Sequence, residues 1–170
     1  MRCFLSIDLE KFAKKLAGIK LSNCQDMTSA KRYHITLVFW ENLSESAASC
    51  LINKLNLFNF KNFHLRAEKI FAFPNKEKPE LYALGFTSDS QLNRLHDELS
   101  SIINSNNLDK FNPHVTILRK EKLKPGFKES KELVKKIMPL DMKIKEFGLY
   151  KSEPEKGMNS YTALKIVKLN

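Results

Sequence analysis

Short apolar runs of two different periods divide this chain. RCFLSIDL (residues 2–9) alternates as a strand does, and LEKFAKKLAGIK (9–20) then sets Phe12, Leu16 and Ile19 on one helical face. After a polar loop, the stretch from Tyr33 to Trp40 alternates again, and SESAASCLINKL (44–55) puts Ala47, Ala48, Leu51 and Leu55 at helical spacing. FHLRAEKIFAF (63–73) and ELYALGFT (80–87) read as two strands of a hairpin around the turn PNKEKP.

The pattern then restarts. SDSQLNRLHDELSSII (88–103) opens with Ser88 and Gln91 in capping-box positions, with Leu92, Leu95, Leu99 and Ile102 as its apolar stripe. A strand follows in FNPHVTILRK (111–120), a helix near ESKELVKKIM (129–138), and two closing strands, MKIKEFGLYKS and SYTALKIVKL, around the turn EPEKG. With ELYALGFT matched to the first strand, both halves run strand, helix, loop, strand, helix. His34 lies 26 positions after Asp8, and His114 lies 27 after Thr87. The expectation is a single α+β domain over residues 1–170, bilobal and pseudo-symmetric. Each lobe has an antiparallel or mixed sheet backed by helices, and a cleft lies between the lobes.

Composition changes this picture little: 42% of residues are hydrophobic and 28% charged. No apolar run approaches the ~20 residues of a membrane span, and the N-terminal stretch lacks the apolar core of a secretory signal, so a cytoplasmic protein is expected. Three widely spaced cysteines, Cys3, Cys24 and Cys50, suggest inert or buried thiols rather than a disulfide framework or metal clasp. No heptad asks for a dimer, so the expected state is a monomer. Charge does tilt the reading. Twenty-nine Lys and Arg against 19 Asp and Glu leave a net charge of +10, which favours polyanionic partners, nucleic acid first.

Two tetrapeptides carry the chemistry. HITL at residues 34–37 and HVTI at 114–117 are each histidine, aliphatic, threonine, aliphatic. Alternation places the histidine and threonine of each on one strand face, about 7 Å apart, with the aliphatics behind. Histidine titrates near neutrality, so one imidazole can take a proton while the other gives one. In-line displacement at phosphorus needs such groups at the attacking and leaving oxygens, with hydroxyl donors for the non-bridging oxygens. Neither tetrapeptide carries a carboxylate or thiol beside its histidine, so no metal site is expected, and no G-x-S-x-G elbow is present. A substrate hydrolysed without a metal should be intrinsically reactive; a strained cyclic phosphate beside a ribose oxygen fits.

These residues resemble the two-histidine phosphoesterase superfamily, and most closely its RNA 2′,3′-cyclic phosphodiesterase branch, also called 2′-5′ RNA ligases. The likeness runs through RCFLSIDL, the LVF after the first motif, FNPHVTILR, and EFGLYKS…G…SYTALK. It implies opening of RNA 2′,3′-cyclic phosphate ends, tRNA-derived ends among them, to a 2′-phosphate, without cofactor, and a related 2′-5′ ligation. It implies His34 and His114 as the acid–base pair, with His114 leaning to base and His34 to acid, and Thr36 and Thr116 as phosphate-binding residues.

Arg119 stands where many relatives have an arginine, as a candidate substrate contact. Strict alternation turns it away from the cleft, so that role needs a bulge or a reach around the strand end, and a purely structural pairing is the alternative. The first motif departs from the family's usual ending at Trp40 and Glu41. Alternation puts Trp40 on the face of His34, where it would stack on a base or cap a core. His64, His96, Tyr33 and Phe111 are expected at surface or packing positions. Two alternatives stay open: a phosphodiesterase acting on 2′-5′ oligonucleotides or ADP-ribose cyclic phosphate, and a non-catalytic RNA-end binder.

Overall fold

The structure is a computed structural model. It describes residues 1–17, 27–29, 32–67, 69–74, 80–86, 89–103, 111–120, 141–155 and 158–170. The expected helix near 129–138, Ile19, Cys24, Thr87 and Ser88 fall outside these residues.

Two four-stranded sheets form the body. The first has the order β10-β9-β1-β3, from β1 (Cys3–Asp8), β3 (His34–Trp40), β9 (Glu146–Glu155) and β10 (Met158–Lys168). The second has the order β2-β7-β6-β5, from β2 (Met27–Ser29), β5 (Lys69–Phe73), β6 (Leu81–Gly85) and β7 (His114–Lys120). All pairings are antiparallel. The outcome is the expected bilobal α+β architecture. β3 and β7 approach one another where the sheets meet, and one apolar core runs behind both.

Each lobe has a helix capped as its sequence dictates. The Ser44 hydroxyl accepts the Ala47 N–H at 3.1 Å, opening α2 (Glu45–Asn56), which buries Ala48, Leu51 and Leu55 and leaves Ala47 exposed. α3 (Ser90–Ile102) buries Leu92, Leu95 and Leu99, but its cap is Asp89, whose carboxylate accepts the Leu92 N–H at 2.8 Å. The expected Ser88 cap is thus displaced by one residue, because a carboxylate at Asp89 reaches the exposed amide. The first helix is short, a 3-10 turn over Glu10–Phe12 leading into α1 (Ala13–Ala17).

Two expected strands are each broken. FHLRAEKIFAF divides into β4 (Phe63–Arg66) and β5, and MKIKEFGLYKS into β8 (Asp141–Ile144) and β9. β4 and β8 pair as a separate two-stranded sheet, burying Phe63, Leu65, Met142 and Ile144 beneath exposed neighbours. The hairpin of β5 and β6 forms as expected, whereas β2 adds a short strand to β7 from the stretch read as polar loop. Cys3 is buried, but Cys50 is exposed on α2 rather than inert by burial.

Candidate active site

Both motif strands alternate in the same way. Ile35 and Val115 are fully buried, while His34, Thr36, His114 and Thr116 are half-buried on the opposite face. Each strand then breaks the alternation at the same point. Ser6 pairs with Thr36 but Leu5 with Val38, so Leu37 is an extra residue. Ala83 pairs with Thr116 but Tyr82 with Leu118, so Ile117 is an extra residue. These two β-bulges let two consecutive aliphatics enter the core, Leu37 with Val38 and Ile117 with Leu118.

The bulges set the facing of the residues after each motif. Beyond them, Phe39 pairs with Phe4 and Arg119 with Leu81, which returns both to the histidine face. Trp40 pairs instead with fully buried Cys3 and packs against the core. The expectation that Trp40 shares the face of His34 is therefore corrected: the inserted Leu37 flips every later side chain. Phe39, 39% exposed, takes the place assigned to Trp40, with the Arg2 guanidinium 5.0 Å from its ring centroid.

The two histidines sit in different surroundings. His114 Nδ1 donates to the Asn112 carbonyl at 2.8 Å; a carbonyl only accepts, so Nδ1 carries hydrogen and Nε2 of the neutral ring is left as an acceptor. The Phe71 ring meets it edge-on at 5.9 Å. His34 lies between Phe4, at 5.4 Å, and Tyr161, at 5.6 Å. Burial pushes its imidazole below the usual histidine range. The Asp8 carboxylate opposes that shift, while Arg32, Arg119 and His114 add to it. Groups from both motif strands thus share one electrostatic field across the cleft.

Arg32 is held at the rim, its guanidinium 3.3 Å from the Tyr161 carbonyl and 5.4 Å from that ring's centroid. The remaining histidines lie elsewhere. His64 pairs with Asp141 at 2.8 Å on the small sheet, and His96 of α3 stacks on Phe111 with centroids 4.0 Å apart. Among the described residues no group of three or more His, Cys, Asp or Glu is arranged to hold a metal ion, and no helix is long and apolar enough to cross a membrane. Phe39, Tyr161 and Phe71 were missed by sequence reasoning. The paired aliphatics Leu37–Val38 and Ile117–Leu118 were the available signal for Phe39, since a strict strand period forbids two core residues in succession.

Known proteins share the fold and the family of this chain. The protein called RNA 2′,3′-cyclic phosphodiesterase in Aeropyrum pernix is 28% identical over 107 residues, covering 60% of this chain and 58% of its own length. That of Archaeoglobus fulgidus, with the same name, is 24% identical over 164 residues, covering 89% and 91%. Among solved structures, a Thermus thermophilus protein superposes with a TM-score of 0.79 at 20% identity, covering 99% of this chain and 97% of that one. E. coli LigT in its apo form gives 0.76 at 21% identity, covering 99% and 96%. These two likenesses establish the fold. The family model described as the 2′-5′ RNA ligase superfamily matches residues 7–155, and the chain belongs to that superfamily.

Proposed function

We propose that this protein hydrolyses RNA 2′,3′-cyclic phosphate ends to 2′-phosphates, without a metal, through His34 and His114. The observation that carries the reading is the repeated presentation of a half-buried histidine and threonine on two adjoining strands, each backed by the same bulge. The names of the archaeal relatives support the substrate class, and the net charge of +10 suits a polyanion.

The chemistry follows from the two environments. His114, held through Nδ1 by Asn112, offers Nε2 to a water and takes its proton as the water oxygen bonds to phosphorus. The bond to the ribose 3′-oxygen breaks on the opposite side, and His34 delivers a proton to that oxygen. The product carries a 2′-phosphate and a 3′-hydroxyl, and the two imidazoles have exchanged protonation states. Thr36 and Thr116 donate hydrogen bonds to the non-bridging oxygens. Arg119, returned to the cleft face by its bulge, adds positive charge beside them. An RNA 5′-hydroxyl in place of water would give the 2′-5′ ligation for which the superfamily is named.

The test is turnover of a short RNA ending in 2′,3′-cyclic phosphate, in excess EDTA, with the product phosphate position identified. Wild-type activity with a 2′-phosphate product, reduced about 10²- to 10⁴-fold in His34→Ala and in His114→Ala, is expected. Full activity in either variant, or its loss on chelation, overturns the reading. Binding without turnover would assign a non-catalytic RNA-end binder instead.

A further inference from the structure

The two halves differ at one cross-strand position. Asp8 of β1 stands opposite His34, whereas Gly85 of β6 stands opposite His114. Opposed side chains on antiparallel strands point the same way with Cβ atoms about 4.5–5.5 Å apart. One imidazole therefore has a carboxylate neighbour where the other has only a hydrogen atom. We propose that Asp8 is a positioning residue for His34, holding its imidazolium ready for the leaving oxygen and so fixing which histidine is the acid. The inference rests on the acid–base reading above and adds a residue and an assignment to it.

Three further features agree. The Asp8 carboxylate is itself anchored, since Oδ1 accepts the Glu10 N–H at 2.7 Å, which leaves Oδ2 for its neighbours. Ser6, Asp8, His34 and Tyr150 line a pocket of ≈ 10 Å³, room for about one water molecule able to bridge carboxylate and imidazole. His114, by contrast, is fixed by the neutral Asn112 carbonyl in the tautomer a base requires. The groups around His34 are Asp8 from β1, Arg32 ahead of its own strand, His114 and Arg119 from β7, Tyr150 from β9 and Tyr161 from β10. Burial, Arg32, Arg119 and His114 all disfavour its protonated form, and Asp8 alone among the charged neighbours named favours it.

The experiment compares the full chain with Asp8→Asn and Asp8→Ser, both of which keep an oxygen acceptor for the Glu10 amide. His34 ring protons are followed by NMR against pH, and kcat/KM is measured on RNA with a cyclic phosphate end. Removing the carboxylate should move the His34 midpoint to lower pH. The deficit in kcat/KM should be small at low pH, where His34 is protonated with or without the carboxylate. It should grow to about three- to tenfold above pH 8, where the supply of protonated His34 limits. Asp8→Glu, which keeps the charge, should recover part of the loss. An unmoved midpoint in both uncharged variants, or a deficit equal at every pH, overturns the proposal. A wild-type protein without turnover would overturn the phosphodiesterase reading, while the titration alone would still decide whether Asp8 acts on His34.

Discussion

Leu37 and Ile117 occupy the same place in the two halves, each the unpaired extra residue of a bulge one step beyond a motif threonine. The pair explains how a chain of alternating strands brings Arg119 to the cleft and sends Trp40 to the core. Arg119→Ala should lower kcat/KM about 10²- to 10³-fold, the scale for losing one donor to developing charge. Arg119→Lys should recover only part, because an ammonium lacks the guanidinium's planar fork. Trp40→Phe should lower the unfolding temperature and leave KM unchanged. Steady-state kinetics and thermal unfolding check both, and the reverse pattern would put Trp40 on the cleft face and Arg119 away from it.

That bulge marks where the sequence stops being transparent. His34, Thr36, His114 and Thr116 were legible because a repeated polar pair on a strand face conflicts with core packing in both halves. Asp8 and Gly85 were harder: sequence spacing aligned Asp8 with Thr87, but the observed register makes Gly85 its counterpart. The breaks between β4 and β5 and between β8 and β9 were hidden for a related reason. A two-residue period reports which face a side chain takes, and it continues unchanged when the chain leaves one sheet for another. β2, only Met27–Ser29, is too short to show a period at all.

The threonines should separate hydrogen bonding from shape. Valine replaces the hydroxyl by a methyl at nearly constant volume, so Thr36→Val and Thr116→Val should each cost about 10- to 100-fold in kcat/KM, the worth of a bond to a charged acceptor. Serine keeps the donor, and the Ser variants should stay within a few-fold of wild type. Equal losses in Val and Ser variants would point to packing instead.

His34 should also make folding sensitive to acid. Its folded imidazole is held below the ordinary value of 6.5, burial being the main cause, so in the window beneath 6.5 the unfolded chain binds more protons than the folded one. Stability is then complete above that value and declines as pH falls towards the lowered folded value. His34→Gln removes this contribution. Urea midpoints measured between pH 7.5 and 5 should fall less steeply in the variant than in wild type, and parallel curves would show that His34 takes no part.

Gly148 shows how the wall behind His34 depends on an absent side chain. It faces the cleft opposite Ser6, and a Cβ there would lie 2.6 Å from Tyr150 Cε2 and 2.8 Å from Ile166 Cδ1. The Ile166 side chain is 40% exposed and can turn aside, but Tyr150 is buried and stacks on Phe4 at 5.6 Å. Phe4 in turn packs against His34 at 5.4 Å. Gly148→Ala should therefore cost about 1–3 kcal/mol in urea unfolding, the usual range for overpacking, and lower kcat by disturbing His34. Gly85→Ala is the contrast. Its nearest atom, Phe71 Cε1, is 3.2 Å away, so a shift of a few tenths of an ångström suffices, and a smaller loss of stability is expected. If the two alanines proved equally harmless, the Tyr150 ring would have room to move, and the aromatic wall would not be what fixes the His34 ring.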